Sequence, residues 1–176
     1  MKKLFGLLMA FVSISLIACG GGGGSTRVVT PQVINYTPEL QHFDIVDSYG
    51  IDTAKPGTTP LTIDPYYDGG LFDVFWEVNS LEDYRMNIRI NDTAGVNNSL
   101  LIYSEICGLN RACDQGGGVI CEYTANYMLS CNGSNNPRYI RELFPDGAPE
   151  GLHLVLEVCD LNSSYCAYDS YPVWMK

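Results

Sequence analysis

The chain has 176 residues, with 20 acidic and 10 basic side chains and a formal net charge of −10. This acidity makes it a poor candidate for binding DNA or RNA, because their phosphates would repel it. Two histidines leave little material for metal-binding or general-base chemistry, and the length suits one domain with extensions.

The N-terminus has the organisation of a secretory signal. Lys2 and Lys3 precede an apolar run over residues 4–18, and a short positive region followed by an apolar core is typical of export. The run is too short to span a bilayer, which needs about 20 apolar residues. We therefore predict a signal peptide over residues 1–18.

The apolar run ends in Leu16-Ile17-Ala18-Cys19-Gly20, which resembles the lipobox of bacterial lipoproteins. The resemblance implies cleavage before Cys19 and acylation of its sulfur and its new amino group, with palmitate as one of the acyl chains. Two or three such chains hold a protein firmly at a membrane. Because Gly20 rather than an aspartate follows the cysteine, the resemblance implies the outer membrane of a Gram-negative envelope.

A glycine-rich segment follows the predicted lipid site. Residues 20–24 are all glycine and are followed by Ser25 and Thr26, a composition that is typical of a flexible coil without a core. We predict a tether over residues 19–39, with a short strand at 28–33 as an open alternative, and one folded domain over residues 40–176.

Short alternating runs separated by turn signals occupy the predicted domain. Tyr84, Met86, Ile88 and Ile90 alternate with polar residues, and this period of two indicates a strand with one buried face. Breakers separate such runs, among them the triple glycine at 116–118, and residues 139–144 fit one helical turn. Predicted strands are 42–46, 61–63, 71–78, 84–90, 100–106, 119–123, 128–131, 152–158 and 165–174. The spacing predicts an all-β fold, an antiparallel β-sandwich.

Six of the seven cysteines lie in the predicted domain, and an even number in an exported domain is typical of disulfides. A turn at Asn162-Ser163 places Cys159 opposite Cys166, at a Cα distance that a disulfide can bridge. A turn around Asn126 does the same for a second pair. Nearest-neighbour pairing predicts three disulfides, Cys107–Cys113, Cys121–Cys131 and Cys159–Cys166.

Two alternatives would use the same cysteines as thiolates. A zinc site needs closely spaced ligands, but the chain has no Cys-x-x-Cys and its histidines lie away from the cysteines. The missing motif also argues against a redox-active pair. We therefore expect disulfides rather than a metal.

The end of the chain resembles the last two strands of bacterial Ig-like or fibronectin-III-like envelope modules. The resemblance rests on Pro145-Asp146-Gly147, the alternating run at 151–160 and a short Asp/Asn-rich hairpin before a closing strand. It implies an Ig-like sandwich and no particular activity, because such folds host many functions. The long cysteine-bearing segment 107–145 departs from that pattern.

An acidic turn is the candidate metal site. Asp64, Asp68 and Asp73 offer carboxylate oxygens of the kind that calcium prefers, but their spacing is not that of an EF-hand loop. The simpler interpretation is a turn held by local Asp and Gly hydrogen bonds. We predict no cofactor, with calcium at this turn as an alternative.

The chain is rich in aromatic residues, with twelve tyrosines and two tryptophans. Amphipathic rings suit contacts with proteins or sugars, and seven tyrosines lie in or beside predicted loops and outer strands. These are Tyr66, Tyr67, Tyr123, Tyr127, Tyr165, Tyr168 and Tyr171. The alternative is that most of them pack inward and that Trp76 and Trp174 belong to the core.

Catalysis is not predicted. His42 and His153 have no adjacent nucleophile motif, and neither Gly-x-Ser-x-Gly nor His-Glu-x-x-His occurs. His153 also falls on the strand face opposite Leu152 and Leu154, where contact with solvent is expected.

Together these features predict a lipid-anchored envelope protein that acts as a non-catalytic binding or structural module for an envelope protein or a glycan. One alternative is a lysozyme-inhibitor-like lipoprotein, because an acidic surface suits cationic lysozyme. The other is a carbohydrate- or calcium-binding lipoprotein.

Overall fold

The strands of the domain are seen in a computed structural model that describes residues 37–47, 60–67 and 69–176. The predicted signal peptide, Cys19, the glycine tether, the candidate strand at 28–33 and Asp68 lie outside the described residues. In the part that is described, no helix has the length and hydropathy needed to cross a membrane.

Ten strands account for the described fold, and all described residues belong to one unit that ends at Lys176. In chain order the strands are β1 (Glu39–Asp47), β2 (Leu61–Ile63), β3 (Leu71–Asn79), β4 (Tyr84–Asn91), β5 (Leu100–Cys107), β6 (Gly116–Tyr123), β7 (Met128–Cys131), β8 (Arg138–Tyr139), β9 (Glu150–Asp160) and β10 (Cys166–Met175).

The strands form two five-stranded sheets. Sheet A has the order β1-β3-β6-β7-β8, and sheet B has the order β2-β10-β9-β4-β5. All pairings are antiparallel except that of β2 with β10. The predicted all-β sandwich is confirmed.

Alternating side chains from both sheets fill the space between them. Phe43 of β1 meets Tyr171 of β10 edge-on, with ring centroids 5.0 Å apart. The Tyr84 hydroxyl of β4 donates a hydrogen bond of 3.0 Å to the carbonyl of Cys113. Val74 in β3 and Leu154 in β9 are fully buried. Such burial stabilises a fold by about 25 cal/mol per Å² of apolar surface.

Two local predictions need correction. The triple glycine at 116–118 is not a break but the start of β6. The helical turn predicted at 139–144 is shorter, a 3-10 turn over Arg141–Leu143 that follows the unpredicted strand β8. The turn positions Phe144, whose ring stacks beside that of Tyr123 at 6.1 Å and is buried in the core.

The middle of the chain adds its strands to sheet A in an unusual order. In the constant-type Ig sandwich, the strand beside B is E, which follows the outer strand D in the chain. Here β6 takes the inner place beside β3 first, and β7 and β8 then extend the sheet outward. The segment that departs from the Ig pattern in sequence therefore also departs from it in strand order.

Three disulfides join the six cysteines of the domain as nearest neighbours. The Cα–Cα distances are 4.9 Å for Cys107–Cys113 and 4.0 Å for both other bonds, Cys121–Cys131 and Cys159–Cys166. The last two connect directly opposite residues of antiparallel strands, the register expected from turns centred near 126 and 162–163.

Candidate binding face

A shallow groove of about 680 Å³ crosses the outer face of sheet A, where β1, β3 and β6 run side by side. It is termed the Phe75 groove below, after the aromatic residue on its wall. Gly116 and Gly117 lie along it. The other residues that line it are Gln41, His42, Phe75, Trp76, Glu77, Val78, Asn79 and Gln115.

The ring of Phe75 lies over Gly118 of the neighbouring strand. Phe75 pairs with Gly118 of β6, and a Cβ placed on Gly118 would come within 2.7 Å of two ring carbons of Phe75. Real Cβ atoms do not pack that closely, so the ring can take this position only over a glycine. Phe75 nevertheless stays 45% exposed, and it offers an aromatic surface to a ligand.

The neighbouring residue, Trp76, packs against Gly117, within the same run of three glycines, from the inner face of the sheet. Its indole is buried in the core, and a Cβ on Gly117 would lie 2.9 Å from the indole Cζ2. Aromatic side chains that cover glycines of a neighbouring strand are a known means of stabilising sheets. The three glycines thus form a strand because β3 supplies the side-chain cover that they lack.

Polar side chains with unused hydrogen-bonding groups surround the ring. Within the described residues, the side chains of Gln41, His42, Glu77, Asn79 and Gln115 make no hydrogen bond. The register of β1 against β3 shifts between Leu40 and His42, so Gln41 is the extra residue of a bulge, a feature that redirects side chains. The groove therefore combines an exposed aromatic ring with hydrogen-bond donors and acceptors that have no partner among the described residues, as ligand sites commonly do.

The outer face of sheet A carries acidic charge on β1, β3 and β6, and the arginine of this sheet, Arg138, lies on β8 at the opposite edge from β1. Asp73 and Glu77 flank Phe75 along β3, Asp44 pairs with Phe75 from β1, and Glu122 lies on β6. The strands β1, β3, β6 and β7 contain no lysine or arginine. Ion pairs among the described residues involve Asp64, Asp83 and Glu157, and none of these four acids.

Exposed apolar side chains extend this face beyond the groove. A second shallow groove runs past Gly118 to Ile120 and Leu71, which are 58% and 37% exposed. Exposed apolar residues grouped on one face and rimmed by polar ones are typical of interaction surfaces.

The candidate calcium turn is only partly described. Asp64 is engaged locally, because its carboxylate accepts a hydrogen bond of 2.9 Å from the Tyr66 N–H and lies 3.8 Å from the Lys176 ammonium. Asp73 lies on the outer face of sheet A, and Asp68 is outside the described residues. Calcium at this turn stays a prediction.

The two histidines lie on different sheets and do not come together. His42 borders the Phe75 groove, whereas His153 lies on the outer face of sheet B, opposite the buried Leu152 and Leu154 as predicted. His153 is only half-exposed, and its Nδ1 is buried with no hydrogen-bond partner in the described chain.

The cysteines do not offer thiolates to a metal. Among the described residues, Glu157, Cys159 and Cys166 are close enough together to share an ion. Because these two cysteines are joined in a disulfide, the group is not a metal site.

The seven tyrosines do not form one surface. Tyr123 and Tyr171 are buried in the core and Tyr127 is half-buried. The exposed members are Tyr66, Tyr67, Tyr165 and Tyr168. Trp76 is in the core as expected, but Trp174 is 38% exposed on the outer face of sheet B, where its ring covers Gly151. Assigning Trp174 to the core was therefore wrong.

Sequence reasoning missed Phe75, although a local signal was present. In β3 the residues alternate between buried and exposed, and Phe75 falls on the exposed phase between Asp73 and Glu77. A large aromatic residue in the polar phase of a strand is an indicator of a binding surface. No protein-family model, curated protein or solved structure matches the chain.

Proposed function

We propose that the protein is a lipid-anchored bacterial envelope protein that acts as a non-catalytic binding module and contacts its partner through the outer face of sheet A. The observation that carries this proposal is the Phe75 ring, which lies on Gly118 in an open groove. Cover of Gly118 accounts for the position of the ring, whereas the polar side chains without a described partner and the further exposed apolar residues grouped around it are typical of a binding surface.

The anchor in this proposal rests on the sequence. The order of two lysines, apolar run, Leu16-Ile17-Ala18-Cys19 and glycine tether is that of a bacterial lipoprotein. Acyl chains on Cys19 would fix the protein at the outer membrane, and the tether would let the domain reach its partner. Disulfides suit such an oxidising compartment.

Site-specific photo-crosslinking in living cells tests the binding surface. A photo-reactive amino acid is placed at Asn79 or Gln115, beside the groove, in the full chain expressed in the bacterium that encodes it. As a control, it is placed at the exposed Arg85 on the outer face of sheet B. We expect adducts from the two groove positions and none from the control. Equal labelling from all three positions, or none from the groove, would contradict the proposal.

Labelling with radioactive palmitate tests the anchor separately. The wild-type chain should incorporate the label and fractionate with the outer membrane, and Cys19→Ser should lose both properties. Normal labelling of the variant would show that the lipid is not on Cys19.

A further inference from the structure

We infer that the outer face of sheet A docks a basic polypeptide, whose arginine side chains stack on Phe75 and pair with the carboxylates around it. This inference rests on the proposed function and names the class of its partner. It follows from the distribution of charge, from the position of the aromatic ring and from the geometry of the guanidinium group.

The distribution of charge indicates that the partner presents a positively charged surface. Asp44, Asp73, Glu77 and Glu122 form no ion pair with another described residue, and the strands that carry them have no lysine or arginine. An unbalanced field of this kind attracts a cationic surface and repels an anionic one. The whole chain, with a formal charge of −10, has the same sign.

The aromatic ring indicates which cationic side chain of the partner fits best. The face of an aromatic ring attracts cations, and the half-exposed Phe75 ring is flanked by Asp73 and Glu77 on its own strand. A guanidinium group can stack on such a ring and still donate paired hydrogen bonds to a carboxylate, whereas an ammonium group is a more strongly hydrated point charge. Arginine therefore fits this surface better than lysine does.

Apolar neighbours indicate that the partner is a polypeptide rather than a small cation. Ile120 and Leu71 extend the exposed surface past Gly118, so a ligand that covers the whole face must bring apolar side chains as well as charge. Interfaces of folded partners combine these features, with aromatic and arginine contacts at the centre.

The test measures binding of fluorescent nona-arginine and nona-lysine peptides to the purified full chain in non-ionic detergent, by anisotropy. We expect nona-arginine to bind more tightly and its affinity to fall steeply between about 20 and about 200 mM salt. Phe75→Ala should weaken its binding about fivefold, while Tyr66→Ala, which removes an 84% exposed ring in a turn, should leave binding unchanged.

Two matched pairs of charge variants separate a defined site from general acidity. Asp73→Asn with Glu77→Gln, and Asp92→Asn with Asp146→Asn, change the net charge equally, but the second pair lies in exposed loops. The first pair should weaken binding of nona-arginine about tenfold and the second should not. Gly118→Ala, which displaces the Phe75 ring, should reproduce the effect of Phe75→Ala, with Gly95→Ala, whose Cβ meets open space, as its control.

Three results would overturn the inference: no binding of nona-arginine, equal losses from both charge pairs, or no effect of Phe75→Ala. If crosslinking from Asn79 in cells nevertheless succeeds, the face binds a partner of another class, such as a saccharide, and only this inference fails. If crosslinking fails as well, the proposed function fails with it.

Discussion

Buried tyrosines link distant parts of the chain at the scale of single residues. Tyr84 on β4 is fully buried, and its hydroxyl donates to the carbonyl of Cys113 in the loop before β6. Burial raises the pKa of Tyr84 to about 12, and it raises the pKa of Tyr123 to about 12 in the same way, because a buried phenolate loses its hydration. At the edge of the sandwich, burial together with the carboxylates of Asp44 and Asp169 also raises the pKa of Tyr171.

These pKa values predict a loss of stability in alkaline solution. Tyrosines of the unfolded chain ionise near pH 10, so the unfolded state releases protons that the folded state keeps up to about pH 12. The contribution of these groups is therefore complete below about pH 10 and is lost as the pH rises through 12. In urea unfolding measured from about pH 9 upward, Tyr84→Phe should lose stability less steeply than wild type. Tyr67→Phe, at a 91% exposed ring, should keep the wild-type slope, and an unchanged slope in Tyr84→Phe would contradict the account.

A polar network connects neighbouring strands at the scale of elements. One carboxylate oxygen of Glu157 on β9 accepts hydrogen bonds from Asn87 Nδ2 at 2.9 Å and from Arg89 Nε at 2.8 Å, both on β4. The hydroxyl of Ser104 on β5 donates to Asn87 Oδ1 at 2.7 Å. Three strands of sheet B are thus joined on their outer face, and within the network Asn87 and Glu157 are largely shielded from water whereas Ser104 is exposed.

Removing the acceptor at the centre of this network should cost more than breaking an exposed ion pair. Glu157→Ala leaves the buried Asn87 amide and the Arg89 guanidinium without their partner, and we expect a loss of about 2–3 kcal/mol in the free energy of unfolding. Asp83→Ala removes a pair with Arg111 in which both side chains are more than a third exposed, so its loss should be clearly smaller because solvent screens such a pair. Urea unfolding of both variants measures the two losses in free energy of unfolding. Equal losses would contradict the larger contribution that we expect from the network.

The three disulfides should differ in how easily they are reduced in the native protein. Cys166 is exposed, whereas Cys107, Cys113, Cys121 and Cys131 are all buried. Because thiol attack requires access to a sulfur atom, a mild reductant should open Cys159–Cys166 first. Alkylation followed by mass spectrometry gives the order, and earlier opening of Cys121–Cys131 would contradict it.

The elements show what the sequence could and could not predict. β2 and β7 begin and end where alternation and turn signals place them, because both signals are local. The start of β6 was missed, because Gly116-Gly117-Gly118 has the composition of a turn and becomes a strand only through the rings of Phe75 and Trp76 on β3. Those contacts join residues about 40 positions apart, and no local pattern contains them.

At the scale of the whole molecule, the two outer faces differ in charge. Sheet B presents Arg85 and Arg89 beside Glu157, a mixture of both signs. In sheet A, by contrast, β1, β3 and β6 contain acidic residues and no lysine or arginine. The Phe75 groove depends on the pairing of β1, β3 and β6, so it could not be located before the sheet order was known. From the sequence, only the exposure of Phe75 could be predicted, because it falls at an exposed position in the alternation of β3.

The central claim is that Phe75 contacts the bound partner, and selective labelling of phenylalanine rings tests it directly. The chain has six phenylalanines, so carbon-13 ring labelling of the full chain in detergent gives few NMR signals, and Phe75→Leu identifies the one that matters. On addition of nona-arginine, the Phe75 signal should shift while the buried rings of Phe43, Phe72 and Phe144 stay unchanged. A Phe75 signal that does not move while the peptide is bound would contradict the account.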